Sequence, residues 1–213
     1  MNFVSTVLQF ANILLQCLLL IWMLRGFIRQ YSILLVYSGA YLSATLIGEI
    51  LLRREGIHSS TYRTFYWGGE LVLDLLLFLT VMVLIDQALD GSPVRSRAGP
   101  WLAGIATLAL CLPFVVLKAP LFSHRWFFGA SQILNFGAAL LNLALWTALL
   151  LRKRRDPRLL GVSLGVGVTV TSAAIGYGLL LLLASGHDLI DLFAAVAHTA
   201  GVVLWCRAFA VRA

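Results

Sequence analysis

A run of seven residues, Thr64-Phe-Tyr-Trp-Gly-Gly-Glu70, stands at the head of the apolar segment from Leu71 to Leu84. That segment contains one further acid, Asp74. Residues four apart on a helix lie on the same face, so Glu70 and Asp74 point in one direction. A carboxylate at membrane depth is costly and usually faces a cavity or a partner. The stretch therefore predicts a membrane helix that turns two acids toward a polar pocket.

The composition places the whole chain in the class of polytopic membrane proteins. Of its 213 residues, 61% are hydrophobic and only 12% are charged, which lies outside the range of soluble globular domains. A hydrocarbon core of about 30 Å needs about 20 apolar helical residues. We predict an all-α bundle of seven transmembrane helices forming a single domain, with no soluble domain. The predicted spans are 3–24, 31–52, 64–86, 100–118, 126–151, 158–184 and 187–209.

Basic and aromatic residues give the expected orientation. The first six residues carry no Lys or Arg, so we interpret the first apolar run as an uncleaved span. Of the 16 Lys and Arg residues, 11 fall on one side of the predicted membrane, which predicts an outside N-terminus and a cytoplasmic C-terminus in the cytoplasmic (inner) membrane. Because these residues lie at the ends of apolar runs, the net charge of +7 does not indicate nucleic-acid binding. Five tryptophans at predicted helix ends are typical of an interfacial belt: Trp22, Trp67, Trp101, Trp126 and Trp205.

The chain contains a possible internal repeat. Offsets of 126 and 117 residues superpose polar positions of the first three spans on those of the last three. The matched pairs are Gln9 with Asn135, Gln16 with Asn142, Glu70 with His187, and Asp74 with Asp191. The two offsets agree with one duplication if the loop between the sixth and seventh spans is shorter than the loop between the second and third spans. The repeat predicts two parallel halves of three helices joined by the fourth.

This three-plus-one-plus-three layout resembles the SWEET sugar transporters, which also have an external N-terminus. The resemblance is one of layout. That family carries prolines in the helices lining its path, whereas only Pro113 is in mid-span here, so its gating elements have no counterpart. The Tyr66-Trp67-x-x-Glu70 pattern is similar to small, uncharacterised bacterial seven-helix proteins, which implies no activity.

Polar residues inside the spans indicate a pocket in the outer half of the bundle. Two acids one turn apart repel if both ionise, so one should be protonated or paired. Seven-residue spacings also give the first, fifth and seventh spans polar stripes. The leading hypothesis is an outward-facing, carboxylate-lined pocket that binds or passes a small polar solute, a cation or a proton. The candidate pocket residues are Glu70, Asp74, Asp191, His198, Gln9, Gln16, Asn135 and Asn142. For the amides, helix–helix hydrogen bonding is an open alternative.

Two other functions compete with this hypothesis. The inner half is poor in polar groups, which favours a receptor-like or structural subunit acting through a membrane or cytoplasmic protein partner. Alternatively, a set of residues at the outer ends of three spans resembles the zinc hydrolases of the alkaline ceramidase and progestin/adiponectin-receptor superfamily. The resemblance implies zinc ligands at Glu49, Glu70, Asp74, His187 and Asp191. Zinc prefers nitrogen and sulfur donors, so we expect no metal and no enzymatic activity.

None of three more specific sequence features indicates a cofactor or a catalytic site. Gly161-Val-Ser163-Leu-Gly165 matches a nucleophile elbow, but it begins a membrane helix and so indicates close helix packing instead. Retinal would require a lysine within a span, and both lysines lie at span ends. A haem held by two histidines is not expected, because only His198 lies deep in a span.

Overall fold

The computed structural model describes residues 3–90, 92, 95–151, 156–182 and 187–210, and every regular element among them is an α-helix. All seven helices are long and apolar enough to cross a membrane, as the sequence predicts. Their bounds are α1 (Phe3–Leu24), α2 (Ser32–Glu55), α3 (Ser60–Ala88), α4 (Arg95–Val116), α5 (His124–Leu151), α6 (Pro157–Leu182) and α7 (His187–Ala210).

Several helices extend beyond the predicted spans into polar sequence. α3 begins at Ser60 instead of residue 64, because Ser59 caps it: the Ser59 Oγ accepts a hydrogen bond of 3.1 Å from the Tyr62 amide. α4 begins at Arg95 instead of residue 100. The sequence prediction followed the apolar residues alone, whereas a helix continues until its backbone is capped or broken.

Six of the helices form a closed ring, and α4 lies outside it. Going round the ring, α1 packs on α2, α2 on α3, α3 on α5, α5 on α6, α6 on α7, and α7 on α1. α3 also touches α6 across the ring. Within the described residues, α4 contacts only α3 and α5. We call the end at which α1, α3, α5 and α7 begin the upper end, and the opposite end the lower end.

The lower half of the ring is filled by apolar side chains. The Phe209 ring lies 5.4 Å from that of Phe27 and 5.1 Å from that of Tyr31, measured between centroids. Trp205, expected in the interfacial belt, is instead fully buried at 0% exposure, and its indole N–H donates to the Val162 carbonyl at 3.1 Å. The belt prediction was wrong for Trp205 because this side chain turns into the ring, toward α6.

Small residues let α6 and α7 approach closely. A Cβ on Gly165 would lie 2.4 Å from Trp205 Nε1 and 2.8 Å from the Gly201 carbonyl oxygen. Ser163 is buried and donates to the Leu160 carbonyl at 3.0 Å, as serines do inside helices. The Gly161 to Gly165 segment therefore serves helix packing, as the sequence analysis inferred. Outward-facing apolar side chains such as Phe10, at 66% exposure, are consistent with contact with a lipid bilayer.

Candidate functional site

A cavity of about 360 Å³ lies in the upper half of the ring, between α2, α3, α6 and α7. We call it the central cavity. Its volume is at the lower end of the range of about 300 to 1,000 Å³ that small-molecule sites occupy. Its polar and aromatic lining consists of Tyr37, Tyr41, Tyr66, Trp67, Glu70, Asp74, Thr169, Ser172, Tyr177 and His198. The rest of the wall is apolar and includes Leu73, Leu77, Leu180 and Ile190.

Glu70 and Asp74 both line the central cavity from α3, one helical turn apart. In the described part of the chain, neither acid takes part in an ion pair. Asp74 is 6% exposed, and its Oδ2 has no hydrogen-bond partner among the described residues. A buried carboxylate oxygen without a donor is unusual, since buried polar groups are normally hydrogen-bonded. Asp74 therefore brings to the cavity wall a carboxyl that no described cationic side chain neutralises.

α5 supports the Asp74 carboxyl from outside the cavity. The side chains of Ser131 and Asn135 form hydrogen bonds with this carboxyl, although its Oδ2 has no described partner. Asn135 is buried, and its amide nitrogen donates to the Ser131 carbonyl at 3.0 Å. Asn135, a predicted pocket residue, thus stands behind Asp74 instead of lining the cavity.

α1 supports the opposite wall through His198 and Tyr41. Gln16 is fully buried, and its Nε2 lies 3.5 Å from His198 Nε2. Asn12 donates from its amide nitrogen to the Tyr41 hydroxyl at 3.2 Å. Gln16 therefore contributes to the site through His198, while α1 itself does not line the central cavity.

A second cavity, of about 290 Å³, lies beside the first between α1, α2 and α3. We call it the side cavity, and Gln9 and Glu49 are among its lining residues. The two cavities share four lining residues: Tyr41, Tyr66, Glu70 and Leu73. Glu70 therefore borders both spaces.

The remaining predicted residues lie elsewhere or outside the described side chains. Asn142 is buried between α5 and α6, where its amide nitrogen would lie 2.4 Å from a Cβ on Gly167. Asn142 lines neither cavity. His187 and Asp191 belong to α7, but their side chains lie outside the part that the structure describes.

Three residues of the alternative zinc site have described side chains. Glu49 pairs with Arg53 one turn along α2, at 2.8 Å, and lines the side cavity together with Glu70, whereas Glu70 and Asp74 line the central cavity. Within the described residues, no three His, Cys, Asp or Glu side chains come close enough together to share a metal ion.

The sequence analysis missed most of the aromatic lining, namely Tyr37, Tyr41, Tyr66 and Tyr177, and placed Trp67 in the belt instead. One signal was present: Tyr66, Glu70 and Asp74 recur every four residues on α3. Such spacing puts all three on one helical face.

No family model matches the chain, and neither a curated protein nor a solved structure matches it significantly.

Proposed function

We propose that this chain is an integral protein of the cytoplasmic membrane whose central cavity binds a small cationic solute from the outer side. The observation that carries the proposal is the convergence of Glu70 and Asp74 on one cavity without a cationic partner among the described residues. A buried carboxylate is stable only when it is paired, hydrogen-bonded or neutralised. A bound cation supplies that partner.

The closed lower half favours binding over passage. The central cavity ends near Leu77 and Thr169, and the core below it is packed with apolar side chains such as Val81, Val166 and Trp205. Among the described residues, Asp74 is the only charged side chain that is buried. A continuous polar path would need further polar groups on the lower side, as transporter pathways have.

The distribution of basic residues supports the orientation within this proposal. In the predicted topology, 11 of the 16 Lys and Arg residues belong to the side on which the first span ends, which the positive-inside rule assigns to the cytoplasm. The upper end, where the central cavity lies, then faces outward, so the solute would come from outside the cell.

The order of helices in the ring also supports the proposed duplication. Exchanging α1 with α5, α2 with α6 and α3 with α7 turns the neighbours α1·α2, α2·α3 and α3·α5 into α5·α6, α6·α7 and α7·α1, all of which are in contact. The duplication is tested by electron cryo-microscopy, in which α1–α3 should superpose on α5–α7. Failure to place Glu70 and Asp74 over His187 and Asp191 would contradict it.

The cation-binding proposal is tested on the purified full chain with four probes: the chlorides of sodium, potassium, ammonium and guanidinium at constant ionic strength. We expect at least one of them to raise the unfolding temperature at millimolar concentration, and the Glu70→Gln/Asp74→Asn double variant to lose that response. Glu55→Gln is the matched control, because Glu55 is exposed at the same end and lines neither cavity. An equal response in the double variant would refute the proposal.

A further inference from the structure

The wall of the central cavity is too apolar and aromatic for a bare metal cation. An alkali or alkaline-earth ion needs about six or more oxygen ligands around it. Here the two carboxylates and the hydroxyls of four tyrosines, Thr169 and Ser172 are interspersed with hydrocarbon side chains, including Leu73, Leu77 and Ile190. A volume of about 360 Å³ also exceeds what one ion fills. The lining therefore fits a cation that carries its own hydrocarbon body.

Aromatic rings add a second preference for an organic cation. Five tyrosine and tryptophan side chains contribute to the wall, and they come from α2, α3 and α6. They are Tyr37, Tyr41, Tyr66, Trp67 and Tyr177. Rings of this kind attract ammonium groups through their π-electrons and also pack against alkyl chains.

The unsatisfied acceptor at Asp74 determines which kind of organic cation fits. Asp74 Oδ2 is buried and lacks a donor among the described residues. An ionised carboxylate can only accept hydrogen bonds. A quaternary ammonium has no N–H donor, whereas a protonated secondary amine has two N–H donors and a protonated primary amine has three.

We infer that the ligand of the central cavity is a protonated organic amine, with N–H donors directed to Asp74 and Glu70 and a hydrocarbon part held among the aromatic side chains. The inference rests on the proposed cation binding and specifies its ligand class. Asp74 forms the deep anchor because it is the more buried acid. Glu70, which borders both cavities, lies one turn nearer the upper end.

The test compares four probes by isothermal titration with the full chain in nanodiscs: n-butylammonium, tetramethylammonium, ammonium and butan-1-ol. We expect n-butylammonium to bind at least tenfold more tightly than each of the others. Titration of the Glu70→Gln/Asp74→Asn variant gives the heat that comes from partition of the probes into lipid. This background is subtracted from the titration of the native chain.

Three single variants complete the design. Asp74→Asn should weaken n-butylammonium at least tenfold, and Glu70→Gln, at a partly exposed position, gives a second acid variant should the first fail to fold. Tyr66→Leu should weaken it severalfold. Trp101→Leu, on α4 and 74% exposed, should leave it unchanged.

The outcomes separate this inference from the proposed function. Tetramethylammonium binding as tightly as n-butylammonium would overturn the role of the N–H donors, and ammonium doing so would overturn the role of the hydrocarbon part. In both cases acid-dependent cation binding would still stand. If butan-1-ol bound equally well, or no cation bound the native chain, the cation-binding proposal itself would fall.

Discussion

The imidazole of His198 is stacked on the phenol ring of Tyr41, with centroids 4.3 Å apart and ring planes inclined by 20°. Together with the ring contact between Tyr37 and Trp205 at 5.8 Å, the pair joins α2 to α7, two helices that are not neighbours in the ring. Asn12 and Gln16 on α1 hold the two rings from behind. The stacked pair is therefore the element that links α1 to the cavity wall.

Substitutions of Tyr41 should separate the contribution of its hydroxyl to stability from that of its aromatic ring. Tyr41→Phe keeps the stacking and removes the acceptor of Asn12, so we expect a loss of about 0.5–1.5 kcal/mol. Tyr41→Leu also removes the aromatic pair, which adds about 0.5–1.5 kcal/mol. Unfolding in mixed micelles measures both losses, and the upfield ring-current shift of the His198 protons should persist in Tyr41→Phe and vanish in Tyr41→Leu. Equal losses and equal shifts in the two variants would contradict the stacked arrangement.

Gly165 is expected to tolerate no side chain. In Gly165→Ala the new methyl group would meet the Gly201 carbonyl oxygen at 2.8 Å, and this backbone atom cannot rotate away. Forcing α6 and α7 apart should cost about 1–3 kcal/mol. Gly178→Ala in the same helix is the control, because nothing lies within 4 Å of its added Cβ. We expect that control to be neutral or up to about 1 kcal/mol more stable; a similar loss in both variants would show that packing is not the cause.

Ser59 should determine where α3 begins. Ser59→Ala removes the acceptor of the Tyr62 amide and should lower stability by about 0.5–2 kcal/mol. Hydrogen exchange at Tyr62 should become faster, because that amide loses its only side-chain acceptor within the described residues. Ser60→Ala is the control, since Ser60 is exposed and caps nothing, and we expect a change below about 0.5 kcal/mol. Unchanged exchange at Tyr62 in Ser59→Ala would contradict the capping role.

The number of spans could be predicted from the sequence because a membrane helix is recognised by its length and apolar composition. The common direction of Glu70 and Asp74 could be predicted too, since both acids belong to one helix. The arrival of His198 beside Tyr41 could not, because it depends on the order of helices in the ring. The sequence of an apolar helix does not specify which other helices it packs against.

Residues seven apart on a helix share a face, yet a shared face does not mean a shared depth. Gln9 lines the side cavity, whereas Gln16 reaches His198. Asn135 lies beside Asp74, whereas Asn142 packs on Gly167. Seven residues of helix advance by about 10 Å, which is enough to carry the second amide past the site.

The position of α4 outside the ring has a consequence for how its sequence can vary. It lines neither the central nor the side cavity, and within the described residues it touches only α3 and α5. Its contribution is to return the chain to the upper end, so that α5 starts on the same side as α1 and α3. Exchanges among leucine, valine and isoleucine along its outer face should drift freely between related chains, while the six helices of the ring should change far more slowly.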